Sequence, residues 1–348
     1  MEMIKEGKAT IKAETPKIVS KEMGVFYNPV MKFNRGTSIL LLNTLEKKNM
    51  KICLPLAASG IRGARFALEL PKNKIKSIDM NDLNPKACSM MKKNLKQSKV
   101  SQKKVKITNE EANKFLMQGN CYDYIDIDPF GSPNYFLDAA IKRLFRYGVL
   151  AVTATDTSCL AGSFPKPCLR KYWATPKRDH NMHETGLRIL IRKCQLVAAQ
   201  YDKALTPIFS FYKDHYYRIF FTMDKGKERT DKIINQHGMF NEAGPLWLGR
   251  LWDPKLVAKM CKENKEEENQ AFLDILKKES VIPIVGTAKI HSIAEKNKLK
   301  RVPKTEPLLK AVKAKGKKAT VSHFDNLAIR TNLHLKAFET LCKKQSSK

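Results

Sequence analysis

Lys51-Ile52-Cys53-Leu54-Pro55-Leu56-Ala57-Ala58-Ser59-Gly60-Ile61-Arg62-Gly63-Ala64-Arg65 opens as a short apolar run and turns at Ser59-Gly60 into an amphipathic stretch, Ile61 to Leu70. Lys51 to Ala58 is a strand candidate of the kind that is buried on both faces. The same alternation continues along the chain. Ile75 to Met80 reads as a strand and Pro85 to Lys96 as a helix. Val105 to Thr108 and then Glu111 to Met117 repeat the pair. Tyr124 to Ile127 is a fourth strand, Tyr135 to Arg146 is helical by spacing, and Gly148 to Ala154 is a fifth strand. Strands alternating with helices predict an α/β fold, a parallel sheet covered on both faces. In such sheets a ligand sits at the carboxyl ends of the strands.

Further on, Glu184 to Gln200 reads as one long helix. Thr206 to Tyr212 and His215 to Met223 read as a hairpin, and the polar stretch Asp224 to Lys232 as a break. This predicts two domains, 1–224 and 225–348, the second smaller, basic and α+β, with its own aromatics Trp247, Trp252, Phe272 and Phe324.

The chemistry-bearing residues fall at the strand ends. Gly60 and Gly63 let a ligand approach the backbone, and the helix that follows favours negative charge at its N-terminus. The run lacks G-x-G-x-x-G, so a dinucleotide is disfavoured. Asp79-Met80-Asn81-Asp82-Leu83-Asn84-Pro85 ends the second strand, where an acid can hold a ribose diol. Asp82 is better placed than Asp79, since Pro85 opens the next helix; capping that helix is the alternative role. Asn109-Glu110-Glu111-Ala112-Asn113 ends the third strand. An acid followed by a small residue there suits an adenine amine, or a helix cap.

The sharpest signal is Tyr124-Ile125-Asp126-Ile127-Asp128-Pro129-Phe130-Gly131-Ser132-Pro133. Its prolines and glycine fix a turn directly after an apolar strand. Asp128-Pro129-Phe130 resembles the D/N-P-P-F/Y/W motif of methyltransferases that act on exocyclic amines. An aryl amine is a poor nucleophile because its lone pair delocalises into the ring. A carboxylate and a backbone carbonyl can hold its N–H groups, and Phe130 can stack on the base. Upstream, Phe26-Tyr27-Asn28-Pro29-Val30-Met31-Lys32-Phe33-Asn34-Arg35 can lid a pocket, with Phe26 as a second stacking face.

Composition narrows the partner. The 348 residues carry Lys+Arg 65 against Asp+Glu 34, a net charge of +31. Such a field attracts polyanions, nucleic acid first, with counterion release supplying binding free energy. Lys296 to Lys318 holds ten basic residues and one acid, Glu306. With Pro303, Pro307 and Gly316, it reads as a phosphate-contacting arm through Lys296, Lys298, Lys300, Arg301, Lys304, Lys313, Lys315, Lys317 and Lys318, with a solvated, flexible loop as the alternative. No apolar run approaches the roughly 18 residues of a membrane span, and Met1 to Lys12 lacks a signal-peptide apolar region. The eight cysteines show no C-x-x-C pair and read as buried thiols of a reducing cytoplasm. His180, His183 and Glu184 are too few for a metal site, so no metal is expected.

Taken together, these blocks resemble the tRNA guanine-26 N2-dimethyltransferase family. Further matching stretches are His183-Glu184-Thr185-Gly186-Leu187-Arg188-Ile189-Leu190, Gly244-Pro245-Leu246-Trp247-Leu248-Gly249, Ser322-His323-Phe324 and Arg330-Thr331. They span about residues 25–335, and the lack of a zinc-finger cysteine cluster resembles the short, archaeal-type form. The resemblance implies a Rossmann-like class I domain with S-adenosyl-L-methionine as methyl donor. It also implies methylation of guanine N2 at tRNA position 26. By motif it assigns Arg35, Arg65, Asp82, Glu111 and Ala112, beside the Gly60 turn, to the cofactor. It makes Asp128 the catalytic acid/base, with Pro129, Phe26 and Phe130 holding the guanine. The family has an acid after Asn-Arg where this chain has Gly36, and Arg62 competes with Arg65 as the ligand-facing arginine. A methyltransferase for another amine and a non-catalytic RNA-binding protein are the rival readings.

Overall fold

The computed structural model describes residues 2–14 and 27–346. A first compact unit is drawn from Met1–Asp156, Cys194–Thr206 and Arg218–Ile234. It begins with an antiparallel pair, β1 (Glu2–Glu6) and β2 (Ala9–Ala13), then α1 (Lys32–Thr44). Alternation follows: β3 (Met50–Leu54), α2 (Ile61–Glu69), β4 (Ile75–Asn81), α3 (Pro85–Gln97), β5 (Val105–Thr108), α4 (Ala112–Gln118), β6 (Tyr122–Ile127), α5 (Asn134–Lys142) and β7 (Leu144–Ala154). The chain continues, alternating between this unit and a second one, through α6 (Thr157–Leu160), α7 (Pro165–Tyr172), α8 (Met182–Ala199), β8 (Lys203–Lys213), β9 (Tyr216–Lys225) and α9 (Lys227–Ile234).

The main sheet has the order β5-β4-β3-β6-β7-β9-β8, and its pairs from β5 to β7 are parallel. This is the α/β architecture that the alternation predicts and the Rossmann-like domain that the resemblance implies. Ile52, Cys53 and Leu54 of β3 are buried, as are Tyr124, Ile125 and Ile127 of β6. The chain runs from β3 outward to β5, then returns to place β6 against β3, with Cys53 opposite Ile125. The crevice beyond β3 and β6 is therefore the topological switch point, where ligands of such sheets bind.

A second unit is drawn from Thr157–Lys193, Pro207–Tyr217 and Asn235–Lys348. Its later elements are β10 (His237–Phe240), β11 (Ala243–Trp247), α10 (Pro254–Glu263), α11 (Glu267–Ser280), β12 (Ala288–Lys289), α12 (Ile290–Lys296), α13 (Thr305–Ala314), β13 (Ala319–Val321), β14 (Ala328–Thr331) and α14 (Leu335–Ser346). The order β12-β14-β13 forms a small antiparallel sheet.

Several expectations change. The compact units do not follow one cut at 224/225, because residues 157–193 and 207–217 group with 235–348. The helix expected over Tyr135 to Arg146 ends at Lys142, β7 starts at Leu144, and the Asp224 to Lys232 break is mostly α9. Lys296 to Lys318 is not a flexible loop. It contains α13, whose Leu308 and Val312 are fully buried in a cluster with Ile329 and Phe338. Charge density hid an apolar i,i+4 pair in the sequence. The nine cations singled out above are all exposed, and Lys296 pairs with Glu339 at 3.1 Å.

Candidate active site

Tyr124, Asp126 and Asp128 alternate along β6 and past its end, so they share one face of the strand. Asp126 is buried and holds Arg218 through both oxygens, at 2.8 and 2.7 Å. The Tyr124 hydroxyl donates to its Oδ2 at 2.6 Å, and Arg62 approaches the same oxygen at 3.2 Å. Burial alone would raise the Asp126 pKa, but the Arg218 and Arg62 charges hold it below the usual carboxylate value. Burial and then the Asp126 charge push the Tyr124 phenol up, so it stays a donor.

Arg62, in the first turn of α2, is the hub. Its Nη1 donates to Ser38 Oγ at 2.9 Å, and its Nη2 donates to Asn34 Oδ1 at 3.0 Å and to Asp128 Oδ2. Arg218 in turn donates to Thr153 Oγ1 at 2.9 Å and Ser38 Oγ at 2.8 Å, and Asn34 donates to Thr153 at 3.1 Å. Two guanidinium groups and two carboxylates are thus cross-linked by neutral side chains. Removing one partner of such a buried set costs about 3–5 kcal/mol, because the other charge stays behind.

Asp128 sits at the solvent end, its side chain 18% exposed. Gly131 donates to Thr155 Oγ1 at 2.7 Å, and Thr155 N–H donates back to Gly131 O at 2.9 Å, pinning the turn beyond the end of β7. Gly131 has φ +75, a conformation side-chain-bearing residues rarely adopt. Pro129 is half-buried and Phe130 exposed. Phe26 lies outside the described residues.

Asp82 is half-buried where β4 ends. Its oxygens accept from the N–H groups of Ala58 and Asn84, each at 2.9 Å, so it ties the β3–α2 turn to the α3 turn. Asp79 lies within β4 instead, bonded by Tyr122 at 2.9 Å. Glu111 caps α4 by accepting from Lys114 N–H at 2.9 Å, and Ala112 is buried behind it. The glycines leave room for packed methionines. A Cβ on Gly60 would lie 2.8 Å from Met91 Cγ, and one on Gly63 would lie 2.5 Å from Met80 Sδ.

Arg35 and Arg65 do not join this group. Buried Glu6 of β1 accepts from Arg35 Nε and from Arg65 Nη1, each at 2.8 Å, and Arg65 also grips Glu69 at 2.8 and 3.0 Å. Tyr27 donates to Glu6 at 2.7 Å. Burial alone would raise the Glu6 pKa; Arg35 foremost, then Tyr27 and Arg65, lower it to about 2. Glu6, remote in sequence, therefore orients Arg35 in a chain that has Gly36 after it. The arginine beside the acids is Arg62. Arg218, Asp126, Ser38 and Thr153 escaped the sequence reading. Their signal is a polar residue inside an apolar strand or helix, most visibly Arg218 in Tyr216-Tyr217-Arg218-Ile219-Phe220-Phe221.

Among the described residues, no cluster of His, Cys, Asp and Glu could hold a metal, and no helix is long and apolar enough to cross a membrane. Glu184 is engaged by Arg188 at 2.9 Å and by Arg330 at 2.7 Å, and His183 stacks on Tyr212 with ring centroids 3.9 Å apart.

The family described as N2,N2-dimethylguanosine tRNA methyltransferase matches residues 7–242 and 237–343. The chain is 38% identical to the tRNA (guanine(26)-N(2)/guanine(27)-N(2))-dimethyltransferase of Aquifex aeolicus, over 99% of this chain and 95% of that one. It is 36% identical to the tRNA (guanine(26)-N(2))-dimethyltransferase of Pyrococcus horikoshii, over 96% of both. Among solved structures it is similar to Trm1 from Pyrococcus horikoshii in complex with S-adenosyl-L-methionine. There the TM-score is 0.88 at 32% identity, covering 97% of this chain and 98% of that one.

Proposed function

The chain belongs to the N2,N2-dimethylguanosine tRNA methyltransferase family and methylates the exocyclic N2 of guanine at tRNA position 26 with S-adenosyl-L-methionine, and we propose that Asp128 carries the chemistry. The supporting observation is its carboxylate at the switch point. Arg62 fixes Oδ2, while Oδ1 accepts no hydrogen bond from a described residue.

That oxygen is available to an N–H of the guanine N2. Holding the proton in a fixed direction favours a tetrahedral nitrogen with a localised lone pair. Positive charge builds on the nitrogen as it attacks, and the Asp128 carboxylate stabilises it. Asp128, or a water beside it, then takes the released proton. Phe130 stacks on the extruded base, with the Pro129 carbonyl as a second acceptor. Phe26 is assigned the other face on its motif alone.

The strand-end residues suit the cofactor. Each Asp82 oxygen uses one lone pair on backbone and keeps another for a ribose hydroxyl. Glu111 and Ala112 border the adjoining strand end, on the adenine side. Bound S-adenosyl-L-methionine supplies an electrophilic methyl on a sulfonium. Arg35 and Arg65 act through Glu6, joining β1, α1 and α2 behind the site. The acids and arginines of the first compact unit hold the chemistry, and exposed Lys298, Lys300, Arg301, Lys304, Lys313, Lys315, Lys317 and Lys318 of the second dock tRNA. Lys296 contributes less because Glu339 already neutralises it.

The test is Asp128→Asn against wild type on unmodified tRNA, read as methylated nucleosides by mass spectrometry. We expect about 10²–10⁴-fold slower transfer with tRNA affinity kept. Wild-type turnover in the variant would remove Asp128 from the mechanism.

A further inference from the structure

We propose that α7 and its C-terminal Trp173 form a stacking surface for an unpaired nucleobase of tRNA; the inference rests on the tRNA-methylating function above. The element is fixed on one side and bare on the other. Cys168 and Tyr172, four residues apart, are fully buried. Leu169 and Trp173, one position on, are 55% and 51% exposed, and Phe164 at the helix start is 58% exposed. Lys166, Arg170 and Lys171 are exposed among these apolar groups. Among the described residues no carboxylate pairs with Lys166 or Arg170, and residues 157–178 contain no acid at all. Exposed aromatics interleaved with cations, Lys166 and Arg170 among them without a carboxylate partner, suit single-stranded nucleic acid, where bases stack and phosphates lie on the cations.

Trp173 supplies the second observation. It caps α7 in the left-handed conformation, φ 57 and ψ 38, with its N–H on Leu169 O at 3.0 Å. Glycine is the residue that adopts this cap without steric cost. A bulky aromatic there is strained, and strain that persists on a surface points to function. The residue is also held in place. Arg192 donates to its carbonyl at 3.1 Å, and Lys193 Nζ lies over its ring, 2.9 Å from the centroid. One ring face is thus covered by a cation while half of the side chain stays open. A flat, preorganised, half-covered indole binds a base with little ordering cost. No base edge is read there, so the surface favours any unstacked nucleotide.

Trp247 and Trp252 are buried, so the change in tryptophan fluorescence on tRNA binding reports chiefly on Trp173. Titrating wild-type protein with unmodified tRNA is expected to quench it. Trp173→Phe keeps a stacking ring, so binding persists while the quench disappears. Trp173→Gly relieves the cap, so Tm stays level or rises. Its tRNA Kd and KM rise about tenfold while the thermal shift with S-adenosyl-L-methionine is unchanged. Lys166→Ala with Arg170→Ala lowers the salt dependence of tRNA binding. Kd and kcat/KM within twofold of wild type in Trp173→Gly, or a full quench in Trp173→Phe, would overturn the proposal. Wild-type protein that neither binds nor methylates tRNA would instead overturn the function on which it rests.

Discussion

Arg62 shows what a single side chain decides at this site. Its fork reaches Asn34, Ser38, Asp126 and Asp128 at once. Arg62→Lys keeps the charge but loses the planar fork that spans these partners. The expected result is a folded protein with kcat lower by about 10²-fold and a tRNA KM close to wild type, since Asp128 loses its orientation. A rise in KM with kcat unchanged would instead place Arg62 in substrate binding. The sequence left Arg62 and Arg65 as alternatives because both lie in the same helical turn region. Only their partners separate them, and Glu6 lies 59 residues from Arg65.

At the scale of elements, α13 reads as charged loop and folds as an anchored helix. Its stability rests on Leu308 and Val312 packing against Ile329 and Phe338. Leu308→Ala is therefore expected to cost about 2–5 kcal/mol, measurable by denaturant unfolding, whereas a loose arm would show no loss. The α/β alternation was legible because buried strands and amphipathic helices differ in period. The β1–β2 pair was not, since its worth lies in Glu6, a lone acid in a charged stretch. Helix α8 shows a close approach that sequence alone hides. A Cβ on Gly186 would meet Leu160 O at 2.9 Å, so Gly186→Ala should destabilise by about 1–3 kcal/mol.

For the whole molecule, charge acts in two ways. The docking role proposed for the +31 surplus predicts that replacing Lys313, Lys315, Lys317 and Lys318 by alanine flattens the salt dependence of tRNA binding. S-adenosyl-L-methionine binding, followed by thermal shift, should be unaffected. Buried charge governs acid stability. Burial opposes ionisation of Glu6 and Glu279, yet their partners, Arg35 and Arg65 for one and His323 and Arg330 for the other, lower both to about 2. Carboxylates depressed in the folded state stabilise fully above their ordinary value near 4.5, and that contribution disappears as pH falls toward 2. Tm should therefore drop steeply between about pH 5 and 2. Glu6→Gln should be less stable at neutral pH and show a shallower drop.

The sequence by itself determined the sheet's alternation, the strand-end acids Asp82 and Asp128, and the polyanion partner. Periodicity, turn chemistry and net charge are local or additive, and each is written in neighbouring residues. Only the tertiary structure decided which arginine serves Asp128, which acid holds Arg35, and that the densest basic stretch is a packed helix. Those outcomes depend on charges from distant segments sharing one low-dielectric interior, where each must find its partner or leave a costly unpaired charge.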